Sequence, residues 1–328
     1  PIPAQIISDT EILNSNAVRL TDILNEQIGL ITVTDFGGGE GIQLQGLDSQ
    51  YTLVLIDGFP VIGRLAGTLD INRFTTGNIK QIEIIRGASS SLYGSEAIGG
   101  VINIITKDAS HGLNANVNYL LSTNNTIDGN VGFNYKEDKT GFSINANFYK
   151  TDGYDLNDDD GFNTVNPFKN YTINIKNKFD FSDKISLAMS GRLFNQVQDN
   201  MASSDLSGKS TIDEWNISLK TIYSASAKFT NSIELYKTNY YTKEHLKTGD
   251  GLIFSNSYYN HDLSHLELKS IYLPKKNQTY VLGFGYKNEI LERTYFENKA
   301  EFKSTYIYMQ YDFFKNENLN IIFGHRYD

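Results

Sequence analysis

From residue 112 to the end of the chain, apolar and polar residues alternate with a period of two, and this pattern constrains the fold more than any other feature. In residues 113–121 the odd positions are apolar or aromatic, and positions 114, 116 and 118 are asparagine. Residues 142–148 and 171–181 repeat the pattern. Successive side chains of a strand point to opposite faces, so each stretch predicts a strand with one apolar face. An antiparallel sheet is therefore predicted over most of the chain.

Two architectures put one apolar face on many strands: a soluble β-sandwich and a transmembrane β-barrel. Many of the alternating stretches approach the ~10 residues that a strand needs to cross a bilayer. Aromatic residues gather toward their ends, as at 240–241 and 258–259. Girdles of aromatic residues at both interfaces are typical of lipid-facing barrels. The barrel is therefore favoured over the sandwich.

The polar connections between these stretches also differ in length. Short ones, such as 136–140 and 182–183, alternate with long ones, such as 151–170 and 199–210. Outer-membrane barrels have short turns at one end and longer loops at the other. In a barrel of this kind, apolar residues at alternate positions, including Val117 and Ile173, are predicted to face lipid.

The composition agrees with a chain rich in strands and excludes several classes of function. There are 27 Gly, 21 Tyr and 19 Phe against 5 Pro, 3 Met and 1 Trp. Mean hydropathy is -0.36, and no apolar run approaches the roughly 20 residues of a membrane helix. A net charge of -9 without a cluster of Lys and Arg argues against nucleic acid as a partner. The absence of cysteine excludes disulfides, thiolate zinc sites and cysteine nucleophiles.

Residues 1–108 follow a different pattern, that of a small mixed α/β domain. Three short apolar runs at 51–56, 79–85 and 101–105 predict strands, and the first leads into the turn dipeptide Asp57-Gly58. Residues 19–30 have apolar positions at helical spacing, after candidate N-caps at 14–16. These apolar positions are Leu20, Ile23, Leu24 and Ile28. We therefore predict one amphipathic helix that packs on a small sheet.

The stretch QIEIIRGASSSLYGSEAIGGVINIITK, residues 81–107, closely resembles the end of the plug domain in TonB-dependent outer-membrane receptors. The segments LVLIDGFP, residues 53–60, and GIQLQG, residues 41–46, are similar to two other plug segments and stand in the family's order. Departures are modest: Gln45 replaces a usual Arg, Ala88 a frequent Pro, and Glu96 a commoner Asp. The resemblance implies a plug domain in residues 1–108 and the N-terminal part of the transmembrane barrel in residues 109–328.

The fold implied by the resemblance is mostly β, with a small α/β plug domain followed by an antiparallel transmembrane β-barrel. Family barrels have ~22 strands, and only about eleven strand-like segments follow residue 110, so part of the barrel is expected to be missing. The TonB box, the segment on which the TonB energy-coupling complex pulls, is expected before Pro1. Pro1 opens directly onto polar sequence without the charged and apolar regions of a signal peptide, so the numbering of an exported protein is expected to start after processing or trimming.

The function implied by the resemblance is active uptake of a scarce nutrient, such as a ferric siderophore, haem or cobalamin, across the outer membrane of a Gram-negative bacterium. The implied partners are the TonB complex, a small metal chelate or haem, and outer-membrane lipid. One alternative keeps the fold and imports glycan or peptide fragments with a surface lipoprotein. Another is a soluble β-sandwich adhesin. An enzyme is not expected: residues 94–100 lack the P-loop lysine, and 89–91 lack the glycine flanks of a nucleophile elbow.

Arg86 is predicted to anchor the plug inside the barrel, as the family resemblance implies. A guanidinium enclosed in a narrow lumen needs a carboxylate that satisfies several of its donors. Asp312 is the predicted partner, because it lies in the alternating segment 305–314 on the side opposite the apolar residues. The alternative is that Arg86 caps plug carbonyls locally.

Two further sets of residues are candidate sites. The segment 151–161 concentrates carboxylates in one loop, and hard oxygen ligands at this density fit calcium, with a merely solvated loop as the alternative. Three histidines in or near strand ends are candidate axial ligands of haem, with isolated surface or lumen histidines as the alternative. The calcium candidates are Asp152, Asp155, Asp158, Asp159 and Asp160, and the haem candidates are His245, His261 and His265.

Overall fold

A computed structural model describes residues 4–34, 39–65, 67–87, 90–157, 163–203, 206–316 and 319–328. Within these ranges the chain forms two parts, a mixed α/β unit up to residue 106, called the plug, and one antiparallel sheet from residue 112 onward, called the barrel sheet. None of the helices within these ranges has the length and apolar character needed to cross a membrane.

The plug contains nine short strands within the described residues. They are β1 Ala4–Ser8, β2 Leu30–Thr34, β3 Glu40–Leu44, β4 Thr52–Ile56, β5 Phe59–Pro60, β6 Arg64–Leu65, β7 Thr68–Leu69, β8 Ile79–Arg86 and β9 Gly100–Thr106. Five of them form a sheet with the order β1-β8-β9-β4-β5, in which β4 and β9 run parallel and the other neighbours are antiparallel. Two short ribbons, β2-β3 and β6-β7, complete the plug. The three predicted strands are therefore confirmed.

The plug helices are α1 Asp9–Ser15, α2 Leu20–Asn25 and α3 Ser90–Tyr93, with 3-10 turns at Ser49–Tyr51 and Ser95–Ala97. Helix α1 begins at a capping box, in which the Ser8 side chain accepts from the Glu11 N–H and the Glu11 carboxylate accepts from the Ser8 N–H. The prediction of one helix over 19–30 was wrong in number and length. Helix α2 ends at Asn25, Ile28 is exposed, and α1 precedes it.

The plug core lies between these helices and the sheet. Leu20 and Leu24 of α2 are fully buried against the apolar face of the strands, which includes Ile82, Ile84 and Ile102. Burial of such a side chain stabilises the fold by about 1.5–3 kcal/mol. The helical spacing of the apolar residues in α2 therefore predicted the buried face of this helix correctly.

The barrel sheet contains eleven antiparallel strands that pair in chain order, as the sequence predicts. A single sheet of this order does not form the two packed layers of a sandwich. The strands are β10 Gly112–Ser122, β11 Thr126–Glu137, β12 Thr140–Thr151, β13 Phe168–Ser182, β14 Ile185–Ser203, β15 Leu206–Ser226, β16 Phe229–Thr248, β17 Ile253–Lys275, β18 Gln278–Arg293, β19 Ala300–Asn316 and β20 Leu319–Tyr327.

The two ends of the barrel sheet differ in their connections. At one end, called the turn end, two residues join β11 to β12, β13 to β14, β15 to β16 and β17 to β18. At the other, called the loop end, residues 152–167 join β12 to β13. The predicted long loop at 199–210 was wrong, because β14 continues to Ser203 and pairs there with β15, as in Asp199 opposite Lys209.

The two faces of the barrel sheet differ as the alternation predicts. Ile173 and Ile217 are 39% and 53% exposed on the outward face, whereas their neighbours Thr172 and Ser218 are 2% and 5% exposed on the face that meets the plug. Toward the loop end, the outward side chains become polar, and this region is called the polar collar. It includes the hydrogen-bonded pairs Asn195 with Asp213 and Asn239 with Asn260. The apolar outward side chains, such as Ile173 and Ile217, therefore form a band, called the apolar belt, that covers only part of the strand length.

Candidate functional site between the plug and the barrel

A buried triad of charged residues joins the plug to the barrel sheet. Arg73 of the plug lies 3.0 Å from one carboxylate oxygen of Glu214 on β15, and Arg192 on β14 lies 2.8 Å from the other. All three side chains are at most 6% exposed. The Arg192 guanidinium also donates to the Arg73 backbone carbonyl at 2.9 Å. One barrel carboxylate is thus shared by two cations from opposite sides of the interface.

Aromatic rings enclose the triad. The Arg73 guanidinium lies 4.7 Å from the ring centroid of Tyr240, and the Arg192 guanidinium lies 4.9 Å from that of Phe74. Ring faces attract cations and exclude water, so each ionic contact is stronger than at an exposed site. Removal of one partner of a buried pair leaves an uncompensated charge and costs about 3–5 kcal/mol. The triad therefore makes plug and barrel interdependent.

Next to the triad, the tip of the plug packs against the barrel through apolar contacts. The rings of Phe59 and Tyr236 stack at 4.9 Å between centroids, and Ile62 joins the same buried cluster. Gly63 follows with φ of +90°, and a side chain there would overlap the Tyr240 ring. Glycine is required at this position both for the backbone conformation and for the close approach of the ring. Tyr240 thus contacts both the plug tip and Arg73.

Arg19 makes a second cationic contact between plug and barrel. Its guanidinium lies 3.8 Å from the ring centroid of Tyr149 on β12 and donates to the Asn170 side chain on β13 at 3.3 Å. Burial lowers the pKa of Arg19, but an arginine stays charged at any physiological pH. This contact fixes the plug against the first barrel strands.

At the turn end, Lys176 of β13 connects the two parts. Its ammonium lies 2.8 Å from the Asp108 carboxylate, in the segment between plug and barrel, and 3.5 Å from that of Asp57. Burial opposes ionisation of Asp108, but the nearby ammonium outweighs it, so the pKa of Asp108 is lowered. Asp57 in turn accepts from the Thr106 N–H at 3.0 Å. The exit of the chain from the plug is therefore held at the barrel wall.

At the loop end, plug and barrel enclose a polar cavity of about 410 Å³. Its wall includes an amide row, Gln196, Gln198 and Asn200, at alternate positions of β14. The plug contributes Asp70, whose pKa is raised by burial, although the backbone N–H groups of Glu40 and Asn72 donate to it. Its remaining wall residues are Gly39, Leu65, Asn166, Ser210, Ile212, Tyr240, Thr242, Glu244, Leu246, Ser257, Tyr258, Tyr259, Arg293 and Tyr295. The cavity lies directly beside Tyr240 and thus beside the triad.

A second cavity, of about 260 Å³, lies between the plug and strands β15 to β20. On its wall, the Glu267 carboxylate accepts from the hydroxyls of Tyr306 at 2.8 Å and Tyr308 at 2.9 Å, and Lys269 lies 3.3 Å away. His265 Nε2 lies 2.7 Å from the Tyr306 hydroxyl. The carboxylate is stabilised by this network, and the histidine is part of it.

The hydrogen bonds described for the predicted anchor Arg86 lie within the plug. Its guanidinium donates to the Gln5 side chain and, at 2.8 Å, to the Ile28 carbonyl, both within the plug. Asp312, on β19, accepts from the Gln310 side chain at 2.9 Å. The ion pairs between described residues do not include Arg86 with Asp312, and the local capping alternative fits the contacts of Arg86. The Arg86 side chain thus points toward β1 and the turn before β2, and its role as an anchor between plug and barrel stays a prediction.

The candidate calcium ligands are only partly described, because Asp158, Asp159 and Asp160 lie outside the described residues. Asp152 lies 2.9 Å from the Lys150 ammonium, and Asp155 accepts from the Asn157 N–H at 3.0 Å. In the part of the chain that the structure describes, no group of three or more His, Cys, Asp or Glu side chains could hold a metal ion. The calcium site stays a prediction.

The three candidate haem ligands do not meet at one point. His261 and His265 share the inward face of β17, where His261 Nε2 lies 3.6 Å from the Glu289 carboxylate. His245 lies on the outward face of β16, because its neighbour Glu244 faces the inner cavity, and it stands opposite Lys209 of β15. Each inward histidine contacts a neighbouring polar side chain. Haem ligation by any of them stays a prediction.

The triad was missed by the sequence analysis, although part of its signal is present there. Glu214 and Arg192 are charged residues at inward positions of strands whose outward positions are apolar, as in Leu193, Trp215 and Ile217. A charge on the inward face of a barrel needs a partner, so the pattern marks both residues as candidates. Arg73 has no such signal.

Comparison with known proteins agrees with the two-part architecture. Residues 1–101 match the family model of the TonB-dependent Receptor Plug Domain. The vitamin B12 transporter BtuB of Vibrio cholerae is 39% identical over 108 residues, which are 32% of this chain and 18% of that protein.

The structural matches extend over nearly the whole chain. The siderophore receptor PirA of Acinetobacter baumannii superposes with a TM-score of 0.78 at 17% identity, over 98% of this chain and 56% of that one. The ferric enterobactin receptor PfeA of Pseudomonas aeruginosa gives 0.75 at 16% identity, over 98% and 57%. The chain thus spans little more than half the length of the structures it matches. Residues 1–101 thus match the plug domain of TonB-dependent receptors in sequence, and the described chain has the fold of such a plug followed by part of a receptor β-barrel.

Proposed function

We propose that this chain belongs to an outer-membrane receptor of a Gram-negative bacterium that takes up a scarce nutrient, such as a ferric siderophore, haem or cobalamin. The apolar belt of the barrel sheet contacts lipid, and the TonB complex supplies energy by pulling on a segment at the plug's N-terminal side. The protein acts by binding and transport and not as an enzyme.

The observation that carries this proposal is the arrangement of plug, triad and cavity. A plug that closes a transport passage must bind the barrel tightly and still be able to dissociate from it. The ionic and aromatic contacts of Arg73, Arg192 and Glu214 provide binding of this kind. The polar cavity lies on the loop-end side of these contacts, where a ligand from outside arrives first in a barrel of this orientation. A ligand there touches Tyr240, which contacts the plug tip.

The proposal is tested by deletion of the gene and measurement of labelled ferric siderophore, haem and cobalamin accumulation in intact cells. We expect accumulation of one of these nutrients to fall to the background level, to return with the gene, and to stop when a protonophore is added. The receptor should fractionate with the outer membrane. Unchanged accumulation of all three nutrients, or uptake insensitive to the protonophore, would contradict the proposal.

A further inference from the structure

The cavity at the loop end has a wall chemistry that restricts its ligand. The amide row of Gln196, Gln198 and Asn200 is already partly ordered, since Gln198 donates to Asn200 at 3.0 Å and Asn200 donates to Ser210 at 2.6 Å. Amides and hydroxyls each offer donors and acceptors side by side. A wall of this kind matches a ligand that also presents both.

The described part of this wall offers little positive charge to an anion. Asp70 and Glu244 carry carboxyl groups, and Arg293 is the one basic residue among the described wall residues. The Arg293 guanidinium also lies 5.5 Å from the ring centroid of Phe296, so part of its field is directed at an aromatic face. A highly anionic chelate would require several Arg or Lys side chains converging on it.

Three tyrosines on the same wall provide flat apolar surfaces beside the polar groups. Tyr240, Tyr259 and Tyr295 line the cavity, and the Tyr240 and Tyr259 rings meet edge to face at 6.1 Å between centroids. Tyrosine offers a large rigid contact area and a hydroxyl at its rim. Rings interleaved with amides suit a ligand that has apolar faces and polar edges.

From these observations we propose that the cavity binds an uncharged ligand rich in hydroxyl or amide groups, and not a highly anionic ferric catecholate. This inference rests on the proposed uptake function and narrows its cargo. Two sources share this chemistry, a corrinoid with amide side chains and a neutral oligosaccharide. Specificity follows from hydrogen bonding, because a ligand without matching groups leaves the buried amides unpaired.

The test uses the full-length gene product, purified in detergent, and equilibrium binding of three probes: cyanocobalamin, maltoheptaose and ferric enterobactin. We expect one of the two neutral probes to bind at least about tenfold more tightly than ferric enterobactin. Which neutral probe binds distinguishes the corrinoid from the oligosaccharide. Equal or tighter binding of ferric enterobactin, or binding of neither neutral probe, overturns the inference.

Two variants locate the effect at the cavity. Gln198→Ala should weaken the binding of the neutral probe by about 5–20-fold, since it removes the hydrogen bonds of the amide side chain. Glu244→Gln should tighten the binding of ferric enterobactin by about tenfold, because it removes a like charge from the wall. The matched control is Lys243→Ala, on the outward face of β16 next to Glu244. It should change the binding of neither kind of probe. An effect of Lys243→Ala as large as that of Gln198→Ala overturns the assignment.

The result that overturns the ligand class differs from the result that overturns the receptor function. Protonophore-sensitive uptake of a ferric catecholate, without uptake of a neutral probe, overturns the ligand class and leaves the receptor function standing. Loss of all protonophore-sensitive uptake overturns the receptor function itself.

Discussion

Removal of the Glu214 charge should loosen the plug more than any other single change in the interface. In Glu214→Gln the side chain keeps its shape, but Arg73 and Arg192, which are 1% and 5% exposed, then face each other without a shared anion. Breaking a buried ion pair costs about 3–5 kcal/mol, because a desolvated charge is left behind. We expect a loss of this size in the free energy that holds the plug in the barrel.

The loss is measured by urea titration of the purified receptor with a fluorophore on the plug. The chain contains no cysteine, so a single Asn14→Cys on the exposed side of α1 places the label. The matched control is Lys209→Ala, which removes an exposed ion pair to Asp199 and should cost less than about 1 kcal/mol. A plug transition in Glu214→Gln that is shifted no more than in the control would refute the role of the triad.

The triple variant Arg73→Met, Glu214→Leu, Arg192→Met tests whether the charges of the triad are needed to hold the plug or to release it. Replacing a whole buried ionic group by apolar residues is often neutral or stabilising. We expect the triple variant to hold the plug at least as well as Glu214→Gln does and to impair its release during uptake. That result would show that the charges of the triad allow the plug to be released from the barrel.

Other predictions test the plug tip and the outward face. Gly63→Ala should weaken plug docking by about 1–3 kcal/mol, because a left-handed backbone and the nearby ring of Tyr240 both oppose a side chain. The control is Gly58→Ala, where φ is +87° and no atom lies near the added methyl group, so it measures the cost of the left-handed backbone alone. Equal costs at Gly58 and Gly63 would contradict a contribution from the Tyr240 ring. Ile217→Arg should cost about 2–4 kcal/mol in bilayer refolding experiments, since it puts a charge in the apolar belt. Asn239→Arg in the polar collar should cost less than about 1 kcal/mol, and similar costs at both positions would contradict the position of the belt.

The barrel sheet was predictable because its signal is local. A period of two specifies which residues share a face, and eleven strands follow from it without any knowledge of distant contacts. The error at 199–210 has a physical reason. Polar residues in the part of a strand beyond the apolar belt resemble loop residues, yet cross-strand pairs such as Asp199 with Lys209 keep them in the sheet.

The site was less predictable because it depends on contacts between distant parts of the chain. The family resemblance directed attention to Arg86, but its position against β1 and the Ile28 carbonyl is set by plug packing. Arg73 reaches Glu214 only because the plug tip is seated against β15 and β16. The loop-end cavity likewise combines residues of the plug and of five barrel strands, β14 to β18, with loop residues. No single segment carries its pattern.

The plug tip occupies the inner side of the barrel wall, and a cross-linking measurement tests this placement. Phe59→Cys and Tyr236→Cys, whose native rings stack at 4.9 Å, should be joined by a short bifunctional thiol reagent in intact cells. Phe59→Cys with Trp215→Cys, which points outward, should not be joined. We expect the first pair to cross-link and to stop nutrient accumulation. Failure of the first pair to cross-link, or equal cross-linking of both pairs, would contradict this placement of the plug tip.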